Sequence, residues 1–153
     1  MEVYQAGQML RNYGYDHMTR AMCSRKTMLL FGQRCWTDVP DEKVQELEDE
    51  AHLETILRLE DRRMIRTLIQ RHETLPYRPE SRTEALHFFG YDEDIATRNY
   101  VKTIHVFGYH SRYQLTTHAV ESWSPHLLIE TLLRVDMNML KEIDNAIGER
   151  EDN

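Results

Sequence analysis

Three residue pairs have the spacing with which helices hold metals: Glu84 with His87, Asp49 with His52 and, in reversed order, His118 with Glu121. A carboxylate and an imidazole three positions apart on an α-helix share a face and can reach the same ion. A di-iron or manganese centre in a helical bundle needs two Glu-x-x-His motifs and two further glutamates. This chain has one such motif, Glu84 to His87, and it falls in a connection between helical patterns. The six residues therefore read as surface pairs and no cofactor is expected; a di-iron or manganese site is the alternative.

Other chemistry is thinner. His17 and His118 fall on apolar seams, where a histidine bonded to a neighbouring helix is the expectation, and His105 and His110 are expected to face different directions. No Ser, His and Asp, nor Cys and His, can be brought together from spacing alone in a way that supports nucleophilic catalysis. Each glycine stands alone, so a phosphate-cradling loop is absent. Arg58, Arg62, Arg63, Arg66 and Arg71 form the densest basic cluster, yet Glu54, Glu60 and Asp61 interleave with them, which predicts a salt-bridged solvated face. With 19 basic against 26 acidic residues the net charge is -7. That balance disfavours a nucleic-acid backbone and makes an RNA-associated subunit the third functional reading.

The elements that must position these residues are punctuated by Pro40, Pro76, Pro79 and Pro125. Leu10, Gly14, His17, Ala21, Ser24, Met28, Phe31 and Cys35 recur at alternating steps of four and three, which predicts one long helix from Val3 to Trp36. Val44, Leu47, Ala51, Leu53, Leu57, Met64 and Leu68 predict a second, ending near His72. Thr97, Val101, Ile104, Gly108, Ser111, Leu115 and His118 predict a third from Asp92 to Glu121. Leu128, Leu132, Val135, Met139, Ile143 and Ile147 predict a fourth that ends at Gly148, with Ser124 as its cap and Pro125 in its first turn. Ser81 and Glu84 form a capping box ahead of a short helix. The expectation is a single all-α domain of 153 residues. It is a four-helix bundle made of two antiparallel helical hairpins, about 3–73 and 92–148. A connection, 74–91, holds the short extra helix, and 149–153 is a solvated tail.

His-x-Phe-Gly-Tyr occurs at His87–Tyr91 and again at His105–Tyr109, and "NYGY" near the N-terminus is related to both. Superposing Gly14 on Gly108 brings Leu10 onto Ile104 and Tyr15 onto Tyr109, a weak sign of a duplicated hairpin. Gly14 and Gly108 are expected to be notches where a neighbouring helix approaches closely. Tyr77, Arg78, Arg82, Phe88, Phe89 and Tyr91 concentrate aromatic and guanidinium groups in the connection, the profile of an interaction surface.

Arginine outnumbers lysine, and Tyr and Met are abundant at eight each, again an interface profile. Cys23 and Cys35 match no metal or redox spacing and read as buried thiols of an intracellular, reducing compartment. No apolar run approaches the roughly 20 residues that span a bilayer. These observations predict a non-enzymatic helical interaction module, an accessory or structural subunit of a larger assembly, whose partners are other protein subunits and not a small-molecule substrate. A helical bundle of this count also resembles the ferritin-like proteins, which implies a metal-binding or redox bundle as the alternative.

Overall fold

The computed structural model describes residues 3–74 and 81–151. Their chain order is α1 (Val3–Asn12), β1 (Asp16–Met18), β2 (Cys23–Leu30), β3 (Gln33–Pro40), α2 (Asp41–Glu46), α3 (Glu50–Thr74), α4 (Arg82–Phe88), β4 (Asp92–Glu93), β5 (Tyr100–Val106), β6 (Tyr109–Leu115), α5 (Thr117–Ser122) and α6 (Pro125–Glu151). Two three-stranded antiparallel sheets, β1-β2-β3 and β4-β5-β6, sit among the helices. The fold is therefore α+β, and the expected all-α four-helix bundle is wrong. Residues 16–36 and most of 92–115, read as helix, belong to antiparallel strands and their turns.

The misreading has a physical cause. Along β2, after the buried Cys23, the buried positions are Ser24, Lys26, Met28 and Leu30, a period of two. Two of those four are polar, which hid the alternation and left a chance rhythm of four and three. The hairpin turns were disguised as well. Phe31 and Gly32, at φ 57° and 74°, join β2 to β3, and Phe107 and Gly108, at 55° and 81°, join β5 to β6. Positive φ at both turn positions is the type I′ geometry that matches strand twist, and Asn-Gly is its usual signature. Phe-Gly is not.

The chain is built twice. Adding 76 carries Gly14 to Gly90, Met22 to Arg98, Phe31 to Phe107 and Gly32 to Gly108, and all eight have positive φ. It also carries Asp16↔Arg25 onto Asp92↔Val101 and His17↔Ser24 onto Glu93↔Tyr100 in strand register. The expected superposition of Gly14 on Gly108 is therefore replaced: Gly14 corresponds to Gly90, at a helix-to-strand junction, and Gly32 to Gly108, in a hairpin. In the long helices the shift is 75, so the buried residues Leu53, Leu57, Asp61, Met64 and Leu68 match Leu128, Leu132, Asp136, Met139 and Ile143.

The halves face each other about a pseudo-two-fold axis, because contacts between them come in reciprocal pairs, as in an isologous interface. A Cβ on Gly32 would meet the Phe89 ring at 3.2 Å, and one on Gly108 would meet the Tyr13 ring at 3.2 Å. Gly14 abuts His105 and Gly90 abuts Leu29. These glycines are points of close approach, but none lies in a helix. A shared apolar cluster joins Met28, Leu30, Phe31, Met64 and Leu68 to Ile104, Val106, Val135, Met139 and Ile143 across the axis.

Two buried ion pairs lock the arrangement. Lys26 Nζ donates to Asp61 Oδ1 at 2.6 Å, and Lys102 Nζ donates to Asp136 Oδ1 at 2.8 Å. The second carboxylate oxygen of each aspartate reaches into the opposite half. Asp61 Oδ2 accepts from the Phe107 backbone N–H at 2.8 Å, and Asp136 Oδ2 accepts from the Phe31 N–H at 2.9 Å. Burial pushes both carboxyls up and both ammoniums down, against the pull of the partner charge. Removing either member would leave an uncompensated buried charge.

Candidate functional site

The residues expected to act are dispersed. Among the described residues no three His, Cys, Asp or Glu side chains come together in a way that could hold a metal. Asp49 and His52 form a solvent-exposed i,i+3 pair on the entry to α3. Glu84 and His87 are on α4, His118 and Glu121 on α5, and each of these four is at least partly exposed. Of the aromatic connection, Tyr77 and Arg78 lie outside the described residues. Phe89 and Tyr91 are buried core residues, and Arg82 is half-buried with its Nε donating to the Trp123 carbonyl at 2.8 Å. Phe88 is partly exposed.

His105 and His110, expected to diverge, face each other across β5 and β6 with ring centroids 6.0 Å apart. The arginines of α3 divide their roles. Arg58 and Arg63 pair with Glu54 and Glu60 on their own helix, Arg62 lies 5.8 Å from the Phe107 ring, and Arg71 donates to the Arg34 carbonyl. Cys23 and Cys35 are buried and free. No helix among the described residues is long and apolar enough to cross a membrane.

What the structure does assemble is a recess of about 490 Å3 in the first half, between α1, β1, β2 and α2. Its floor is apolar, made by Ala6, Leu10, Val44 and Tyr15, and its rim carries Arg11, Asp16, His17, Asp41 and Gln45. Local rules place these groups. Helix α1 buries Ala6 and Leu10, one turn apart on one face. Gly14 at φ 89° then turns the chain so that β1 starts beside it, and Pro40 ends β3 and caps α2 with an extended backbone, which sets Asp41 at the mouth.

His17 and Ser24 are directly opposite each other on β1 and β2, and Asp41 lines the same recess, so the residue types of a nucleophilic triad meet here. They are not wired as one. His17 Nε2 lies 3.0 and 3.2 Å from the two Asp41 oxygens, and His17 Nδ1 is 3.5 Å from the Thr19 hydroxyl. Both ring nitrogens are engaged, and neither bonds the Ser24 hydroxyl, so no base is aimed at the would-be nucleophile. At the floor, burial, followed by the charges of Asp61 and Glu60, pushes the Tyr15 phenol up and keeps it protonated; its hydroxyl is buried and unpaired.

The second half carries larger side chains at the matching positions. Ala6, Ser24 and Leu47 correspond there to Arg82, Tyr100 and Trp123. Tyr100 and Trp123 pack against the buried cluster of Leu86, Tyr91, Val120 and Leu128, whose counterparts are Leu10, Tyr15, Val44 and Leu53. Arg82 donates to the Trp123 carbonyl. In the first half an Ala and a Ser stand at these two places, and both line the recess.

A second depression of about 580 Å3 lies between α3 and α6, lined by Ile65, Ile69, Phe107, Met137, Leu140 and Ile143 with Arg62, Arg66 and Lys141 among them. Nothing in the second half corresponds to it as filled or unfilled, because it is built from both halves together.

Comparison with protein-family models, with known proteins by sequence and with solved structures returned no match to this chain.

Spacing pointed to none of the recess residues as a set. His17 and Asp41 are 24 positions apart and meet only because β1 pairs with β2 and α2 starts where β3 ends. One signal could have found them: aligning "NYGYDH" with "FFGYDE", instead of with "VFGYH", sets Ser24 opposite Tyr100.

Proposed function

We propose that the protein is a non-enzymatic interaction module, an accessory or structural subunit of a larger multi-protein assembly, and that it receives a group of its partner in the recess beside α1. The observation that carries the proposal is the difference between the halves: one fold unit, used twice, has Arg82 and Tyr100 at this place once and Ala6 and Ser24, lining a recess, once. The wiring of His17 to Asp41 and Thr19, away from Ser24, supports recognition over catalysis.

The test uses the full chain in its native source. Wild type is expected to elute from size-exclusion chromatography well above its 18.3 kDa mass. The Ser24→Tyr variant, folded by circular dichroism, is expected to shift to the monomer position. A wild-type chain that elutes alone, or a Ser24→Tyr variant that keeps all its partners, overturns the proposal. So does labelling of Ser24 by a fluorophosphonate, which would show an activated serine.

A further inference from the structure

We infer that the depression between α3 and α6 is a second docking groove, and that it takes an amphipathic helix of a partner whose apolar stripe is flanked by carboxylates. The inference goes beyond the recess reading and does not rest on it. Charge complementarity names the occupant. The whole chain has 19 basic against 26 acidic residues, yet the groove reverses that balance, with Arg62, Arg66 and Lys141 against Asp144. Arg58 and Arg63, on the same helix but outside the groove, each pair with a glutamate of α3. Among the described residues the three groove cations have no ion-pair partner, Asp144 included, and Arg62 lies over the Phe107 ring instead. The residues three and four positions from Arg66 are Arg62, Arg63, Ile69 and Gln70, and those around Arg62 are Arg58, Leu59, Ile65 and Arg66. A carboxylate at any of these would have paired with the groove; the helix carries like charges at i,i+4 instead, which repel. Under the shift of 75 that relates α3 to α6, Arg66 corresponds to Lys141, so both halves bring a cation to this place.

The rest of the lining is apolar. Ile69 and Met137 are 38% and 44% exposed, and they share the groove with Ile65, Phe107 and Leu140. Exposed apolar side chains that gather in one depression, with charges of one sign among them, fit an apolar stripe bordered by the opposite sign. The shape favours a helix as the carrier of that stripe. Both walls are helices, and only Val106 and Phe107, the end of β5 and its turn, reach the groove from a sheet, so no strand edge is offered for pairing. From Arg62 to Gln70 the α3 wall runs about 12 Å at 1.5 Å per residue, room for two turns of a third helix packed between the walls. A nucleic-acid backbone, which the cations alone would also suit, would leave Ile69 and Met137 uncovered.

The experiment is a titration of the full isotope-labelled chain, followed by amide NMR, with three blocked helical peptides. One repeats the heptad Leu-Glu-Gln-Leu-Leu-Gln-Glu; the others carry glutamine or lysine in place of each glutamate. The glutamate peptide is expected to shift the amides of Ile69, Phe107 and Leu140, to bind about tenfold more tightly than the glutamine peptide, and to lose affinity as salt is raised. The lysine peptide is expected to leave these amides unmoved. Arg66→Gln and Lys141→Gln are each expected to weaken the glutamate peptide several-fold and leave the glutamine peptide unchanged, and Arg66→Gln, which relieves a like-charge pair, is expected not to lower the melting temperature. Met137→Glu is expected to abolish binding of both peptides, and Ser24→Tyr to alter neither. Equal binding of the glutamate and glutamine peptides, or shifts confined to other amides, overturns the inference. So does a single-stranded polyuridylate, or laurate, that moves the groove amides when the glutamate peptide does not.

Discussion

The two halves of this molecule agree where they touch each other and differ where they face away. At the axis four pairs are identical, Lys26 and Lys102, Asp61 and Asp136, Phe31 and Phe107, Gly32 and Gly108, each with its reciprocal contact. Beside the first helix of each half it breaks down, and Ala6 and Ser24 stand where Arg82 and Tyr100 do. Positions that complete the opposite half are fixed by two demands at once. Positions that line only their own half are free to diverge, and one of them has opened a recess.

The largest effect that could break this comparison is at the axis. Asp61→Ala and Asp136→Ala each strand a buried lysine and a backbone N–H of the other half, and each is expected to cost about 3–5 kcal/mol. The two costs should agree within about 1 kcal/mol in urea unfolding if the halves are energetically equivalent. A twofold larger difference would show that one half carries the structure.

Next in size is the exchange that defines the recess. Tyr100→Ser removes a half-buried ring packed on the second half's core and is expected to lose about 2–3 kcal/mol, part of the cost of deleting a core aromatic. Ser24→Tyr fills the open half and is expected to change stability by less than about 1 kcal/mol in either direction. Equal and opposite effects of the two variants would mean that the halves differ by packing alone, leaving the recess no separate role. Thermal and urea unfolding of both variants gives the answer.

The smallest effect concerns a polar mismatch at the axis, His105 in the place of Leu29. Burial, then the positive charges of Lys26 and His110, hold the His105 imidazole below its ordinary range, against the raising effect of its bond to the Asn12 backbone. Its Nδ1 is buried without a partner. The folded state therefore resists protonation, and the unfolded state binds more protons as pH falls below about 6.5. The stability linked to His105 is full above that pH and declines as pH drops toward the folded value. His105→Leu is expected to flatten the fall in melting temperature between pH 7 and 5 and to leave the alkaline side unchanged. An identical pH profile would remove His105 as a source of acid sensitivity.

Much of the helical part of the fold is legible in the sequence. Leu53, Leu57, Met64 and Leu68 on α3, and Leu128, Leu132, Met139 and Ile143 on α6, keep one apolar face over many turns. Ser81 and Ser124 announce helix starts, and their hydroxyls accept from the Glu84 and Leu127 backbone N–H groups at 3.1 and 3.2 Å. The strands are not legible. Their buried face includes Lys26 and Lys102, which look exposed until Asp61 and Asp136 are placed beside them from helices 35 and 34 positions away. No local window contains both members of such a pair. The recess was hidden for the same reason: its rim is set by strand pairing, and its significance appears only when Ser24 is set against Tyr100.

The bond between the Phe31 N–H and Asp136 joins residues 105 positions apart, whereas its twin between Phe107 and Asp61 spans 46. During synthesis the first hairpin therefore emerges long before the group that satisfies it, while the second finds its acceptor already made. The first half must wait with an unmet amide at its turn until α6 leaves the ribosome, and the second can dock at once. Two copies of one unit, alike at equilibrium, thus have unequal histories, and the order of translation alone decides which is the template and which the completion.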